Sequence, residues 1–236
     1  MLVAWALTAM FTTEGQVVDM VVAQVGDDVV TLSELVAETG RVLVETRGPG
    51  VALEGGLPRS LLRSVLQSVV HNALLHREVD RLQLPAVSED EVELEFARFI
   101  ERFDDVSELT RFYDAYGFEP PEAVGKPPEL LRRLLARRMR VDRFLEVRVG
   151  LGTKLPPGAV ASCLKARPER FRGLSEREAR MRAETQIRAQ LEREKLEQIL
   201  AELKEQTSVR YAPGFAPLAE SAPTPEFVCP LTESSS

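Results

Sequence analysis

A mainly α-helical fold, carrying a small antiparallel sheet formed by an N-terminal hairpin and a C-terminal strand, is what this sequence predicts. Three observations lead there. Apolar residues recur every three to four positions over long stretches, the mark of helices that bury one face. Runs rich in β-branched residues occur convincingly only at the two ends, in Met20–Thr31 and in Ser208–Ala212. Two strands alone are marginal in water, so the distant third one is the natural partner for the hairpin.

The elements follow in order. Met20 to Val25 is β-branched, "GDD" supplies a turn and "VVT" completes the second strand. Thr31-Leu-Ser-Glu34 has capping-box spacing, so a helix begins there and runs to about Thr46. Gly48, Pro49, Gly50, Gly55 and Gly56 then predict a flexible loop ending at Pro58. From Pro58 to Leu82 a broad apolar stripe through Leu62, Val65, Leu66, Val69, Ala73 and Val79 predicts a long buried helix. Ser88-Glu-Asp-Glu91 repeats the capping signature before a helix bearing Val92, Phe96, Phe99 and Phe103, and a shorter helix covers Ser107 to Tyr116. Pro127 and Pro128 suit the first turn of the next helix, which the pattern carries to about Val149. Residues 150–158 read as a linker, Ala159–Ala166 as a short helix, and Ser175–Gln206 as a highly charged helix with a narrow apolar seam through Ile187, Leu191, Leu196, Ile199, Leu200 and Leu203.

The division expected is a leader at 1–17, one domain at 18–212 and a disordered Pro/Ser-rich tail at 213–236. "MLVAWALTAM" is too short to span a bilayer and suits the hydrophobic region of a secretory signal, although no Lys or Arg precedes it. A start placed too far downstream would account for the missing charge; a buried N-terminal segment is the other reading. Cys163 and Cys229 have no metal or redox spacing. An oxidising compartment would allow them to pair, but a cysteine in a tail fixes no geometry, so the bond is possible without being favoured.

The order of hairpin, capped helix, Gly-rich loop, long helix and second capped helix resembles the N-terminal chaperone region of the SurA family, relatives of the parvulin-type folding factors. The family's opening segment stands here as "QVGDDVVTLSEL". Its long helix stands as "LLRSVLQSVVHNALLHREVDRLQL" and its next helix start as "VSEDEVE", while "QLEREKLEQILAELKEQTSVRY" is similar to the helix and strand that close the family's domain. The likeness spans roughly residues 18–212. It implies an ATP-independent periplasmic chaperone of a Gram-negative bacterium whose partners are unfolded outer-membrane or secreted polypeptides. The interval from Gly150 to Ser175 is too short for a parvulin domain, so the same likeness implies a chaperone without prolyl isomerase activity, not an enzyme.

The residues themselves offer little chemistry. Glycine-rich phosphate loops, HExxH, CxxC and GxSxG are all missing, so no catalytic residue, metal ligand or cofactor is expected. His71 reads as a core-edge residue and His76 as a solvated one. Carboxylate pairs such as Glu89 with Asp90 lie near helix ends, where capping explains them. What stands out is aromatic density: Phe96, Phe99, Phe103, Phe112, Tyr113, Tyr116 and Phe118 lie close together in a chain with only 6% aromatics. Packing between two helices is one explanation. The other, taken as the candidate peptide-binding site, is that the rings line a cradle for extended apolar clients, since amphipathic rings gain contact area without demanding one sequence.

Partner classes are narrowed by charge. The chain carries a net −7, which gives no global support to a nucleic-acid partner, and stable membrane insertion is not expected. Eight basic residues against three acidic ones between Lys126 and Gly150 read first as a solvated helix face, with RNA or anionic lipid as rivals. The charged helix could also serve a noncatalytic structural or assembly subunit through a coiled-coil seam, but its departure from a strict heptad favours docking inside the fold. Pairing into a homodimer stays open.

Overall fold

Residues 19–121, 125–150, 154–216 and 229 are described by a computed structural model of the chain. The expected leader at 1–17, and the tail beyond 216 apart from Cys229, lie outside the described residues.

The two ends of the fold meet in a three-stranded sheet of order β2-β1-β3, with β1 Val21–Val25, β2 Asp28–Thr31 and β3 Val209–Tyr211. Both pairings are antiparallel. Ala23, Gln24 and Val25 face Tyr211, Arg210 and Val209, and the Gly26 and Ala212 amides extend the ladder by donating to Ser208 O (2.8 Å) and Val22 O (3.0 Å). The hairpin turns through Gly26, whose φ of +60° suits glycine. A Cβ there would sit 2.7 Å from the Arg77 guanidinium carbon, the movable end of a long side chain, so the backbone angle more than the space asks for glycine.

Helix starts fall where local chemistry puts them. Thr31 caps α1 (Leu32–Arg47) and Ser88 caps α4 (Glu89–Ile100), each with the reciprocal glutamate contact of a capping box. Ser175 does the same for α8 (Glu176–Gln206) through Glu178. The long α3 is Arg59–Arg81, α5 is Val106–Tyr116, α6 is Glu129–Leu145 and α7 is Ala159–Ala166.

Some expectations fail, each for a physical reason. The Gly-rich stretch expected to be loop holds a short helix, α2 (Pro49–Glu54), which begins on Pro49 and buries Ala52. The helix expected to reach Val149 changes to a π turn over Glu146–Gly150. Residues 213–216 are not part of a disordered tail: Phe215 packs on the core and Gly214 O accepts from Arg63 Nε at 2.9 Å. Cys229 belongs to the folded structure as well. It is fully buried and disulfide-bonded to Cys163, Cα to Cα 4.8 Å, the pairing that the sequence left possible but did not favour. The tail cysteine gains its geometry from the pocket around Cys163, a constraint that spacing cannot reveal.

Among the described residues, apolar side chains gather in three clusters. The first joins the sheet to α3, the C-terminal part of α6 and Leu200 and Leu203 of α8. The second lies between α1, α2, α4, α5 and the start of α6. The third is small, built from α7, Phe171 in a 3₁₀ turn, the first half of α8 and Cys229. Helix α8 thus spends Ala179, Ala183 and Ile187 on the third cluster and its far end on the first.

Candidate functional site

The seven rings expected to line a client cradle are placed by α4, the α4–α5 connection that carries Phe103, α5 and the loop after α5, and all seven are buried. This corrects the peptide-binding assignment of Phe96, Phe99, Phe103, Phe112, Tyr113, Tyr116 and Phe118. They form the second cluster's interior. Phe112, 0% exposed, has the rings of Phe99, Phe103, Tyr113, Tyr116 and Phe118 at centroid distances of 5.0–6.1 Å, the range of favourable tilted and edge contacts. The physical reason is the neighbouring helix. Gly40 of α1 has no side chain, and a Cβ there would lie 2.4 Å from the Tyr116 ring, so α1 settles directly onto the aromatics and shuts the face that a cradle would open.

The two tyrosines in the cluster differ. The Tyr116 hydroxyl donates to Ala52 O at 2.6 Å, which ties α5 to the unexpected α2. The Tyr113 hydroxyl is buried without a partner among the described residues, and burial pushes its pKa up to about 12. Neither is placed to ionise near neutral pH.

A charged network lies between α1 and α6. Arg41, 3% exposed, donates to both Glu38 oxygens at 2.8 and 2.5 Å and to Glu45 at 2.5 Å, and Glu45 also accepts from Arg138 at 2.6 Å. Burial alone would lower the Arg41 pKa; hydrogen bonds and charge from Glu38 and Glu45 outweigh it and raise it. A network this fully satisfied fixes how the two helices meet. Sequence reading missed it, because a glutamate and an arginine three apart look the same on a solvated face.

The basic stretch is similarly occupied. Arg132 pairs with Glu129, Arg138 with Glu45, Arg140 with Asp80, Arg143 with Glu91 and Lys126 with Glu93. Three of these pairs, from Arg138, Arg140 and Arg143, tie α6 to α1, α3 and α4, so the stretch is less an open basic face than a set of links to its neighbours. His76 is part of it and is half-buried, not solvated as expected. Its Nδ1 lies 3.1 Å from Asp80, and Nε2 lies 3.3 Å from Arg140 Nη1, which can only donate. The imidazole is therefore neutral with its proton on Nδ1. Burial lowers its pKa, Asp80 opposes this, and Arg137 and Arg140 reinforce it.

Open concavities lie elsewhere. One of about 290 Å³ between α4 and α6 has charged walls that include Glu89, Glu93, Lys126 and Arg132. A second, about 260 Å³ and chiefly apolar, lies where the α3–α4 connection crosses the end of α6, with Leu84 and Phe144 inside, Pro85 exposed on one wall, and Leu82 and Val147 at its mouth. At 41% and 63% exposed, those two residues are apolar surface without cover. Helical periodicity could not find this groove. The π turn inserts one residue beyond the α-helical count and so changes which side Val147 faces.

Among the described residues no group of His, Cys, Asp and Glu is arranged to hold a metal ion, and no helix is long and apolar enough to cross a membrane. The sequence matches no family model, and no curated protein matches it.

Proposed function

We propose that this protein is a noncatalytic, ATP-independent chaperone that holds unfolded polypeptides in an extracytoplasmic, oxidising compartment, the periplasm on the SurA-like reading. The observation that carries the proposal is the closure of the fold. Strand β3 lies beside β1, and the end of α8 lies against α3, so the C-terminal helix and strand complete a body begun by the hairpin. That is the arrangement the resemblance implies for a client-binding domain. The Cys163–Cys229 disulfide supports the compartment, since such bonds persist where thiols are not kept reduced. The apolar surface at Leu82 and Val147 supplies the weak, sequence-tolerant contact that holding requires. Release needs no nucleotide, because a client that folds withdraws its apolar segments by mass action.

The test is light scattering by a chemically denatured outer-membrane protein diluted with and without the purified chain. Suppression at near-stoichiometric amounts is expected; unchanged scattering overturns the proposal. A proline-isomerisation assay on a model peptide should show no turnover above background.

A further inference from the structure

Two features converge on the groove between the α3–α4 connection and the end of α6. Its interior is apolar, with Leu84 and Phe144 below the exposed Leu82, Pro85 and Val147, and its volume of about 260 Å³ suits one or two side chains more than a cofactor. Arg140, Arg143 and Arg148 complete the lining on the α6 side, chiefly with their hydrocarbon stems, so their charges stand at the edge of the groove and not inside it. One wall is the ending of α3, where Gln83, at a φ of +52°, is the left-handed residue of a Schellman cap: its amide donates to Asp80 O at 2.9 Å and the Leu84 amide to Val79 O at 3.2 Å. The opposite wall is the π turn at Glu146–Gly150.

The arginines are not equally engaged. Arg143 pairs with Glu91, and Arg140 donates to Asp80 at 2.7 Å and to Leu84 O at 3.2 Å, fixing the connection over α6. Yet Arg140 Nε is buried without an acceptor among the described residues. Arg148 is exposed and forms no ion pair within 4.0 Å among them, although its charge lowers the pKa of Glu78 behind the hydrogen bond from Arg81. On a chain of net charge −7, this is an apolar mouth with an unspent guanidinium at its rim and an unmet donor in its wall.

We infer that the groove binds peptide segments in which an apolar side chain is flanked by carboxylates, the apolar group entering between Leu82 and Val147 while a carboxylate meets Arg148. The inference rests on the polypeptide-binding reading above and adds a preference that a purely apolar surface would lack. Arginine suits the task, since its planar fork accepts a carboxylate bidentately at little loss of freedom.

The experiment is fluorescence anisotropy of the full chain with two fluorescein-labelled peptides. Both have a glycine-serine background and a central leucine-phenylalanine pair, flanked in one by glutamates and in the other by lysines. The glutamate peptide is expected to bind tighter by about twofold to fivefold, the span of an exposed charge pair, with the preference fading at roughly 0.5 M salt. Arg148→Glu should abolish or reverse the preference, and Val147→Ser should weaken both peptides; each residue is exposed, and circular dichroism checks the fold. Equal binding of the two peptides, or affinities that neither variant moves, overturns the inference. Suppressed aggregation without binding of either peptide removes the groove and leaves the chaperone reading standing. A glutamate preference without suppressed aggregation does the opposite.

Discussion

Phe112 and Cys229 are both fully shielded from solvent, but different means shield them. Phe112 is enclosed by five aromatic rings from α4, α5 and the connections on either side of α5, all near it in sequence. Cys229 is enclosed by a few small side chains, Ala159, Ala179 and Ala183 among them, with Phe171, Ile187 and a covalent bond to a residue 66 positions away. The aromatic cluster buries enough surface to hold itself. The third cluster is small, and the disulfide offsets what its alanines cannot contribute. Stability in this molecule should therefore respond to packing in one place and to redox state in another.

The strongest way to break the first half of that contrast is Phe112→Ala. Emptying the centre of the cluster should cost about 3–5 kcal/mol, read as a lower denaturation midpoint at unchanged slope. Serine at Phe96, Phe99, Tyr113 or Tyr116 would act in the same way, opening the core instead of testing a client groove. A loss below about 1 kcal/mol would show that the rings are not packed as described.

The second half is broken by reduction, or by Cys163→Ser with Cys229→Ser. The chain-entropy argument gives a bond of this span up to about 4 kcal/mol. The effect should be local: hydrogen exchange should accelerate in α7 and the first half of α8 and stay slow in α3 and α5. Uniform acceleration would show that the third cluster is integral to the body.

A finer comparison lies within the aromatic cluster. Tyr116→Phe removes a hydrogen bond to Ala52 O and should cost about 1 kcal/mol, whereas Tyr113→Phe removes a hydroxyl that has no partner and should be neutral or slightly stabilising. Equal effects in thermal melts would contradict the geometry.

The smallest effect concerns His76. Its folded-state pKa lies below the ordinary 6.5, so its contribution is fully present above pH 6.5 and is lost as the pH falls through the lowered value. Protonation would remove the acceptor facing Arg140 and add a cation beside Arg137, with Asp80 and Asp28 compensating in part. His76→Gln should flatten the dependence of melting temperature on pH between roughly 7 and 5. An unchanged slope would place the imidazole in solvent.

Much of this was legible because much of it is local. The capping boxes at Thr31 and Ser88 mark helix starts within four residues of sequence, and the apolar stripe from Leu62 to Val79 needs only its own period. Partnering the terminal strands was legible too, since β3 is the only strand besides the hairpin among the described residues and unpaired edges are costly. Illegible features depend on what arrives from elsewhere. Gly40 looks like a weak point in a helix until Tyr116 fills the space beside it. The period places seven aromatics on packed faces and cannot say whether another helix covers them. Arg41 reads as solvated until α6 presents Arg138 to the same carboxylate. The cysteine pair was visible, but nothing local fixed Cys229.

The placement of β1 in the middle of the sheet has a consequence for biosynthesis. One of its neighbours follows within a few residues; the other is translated only after all of α8. Throughout synthesis of the helical body the hairpin carries a bare edge able to recruit a strand from a second nascent chain. Ribosomes that stall within α8 would release products with that edge open, and these truncated chains, more than the finished protein, should be the ones that stick together.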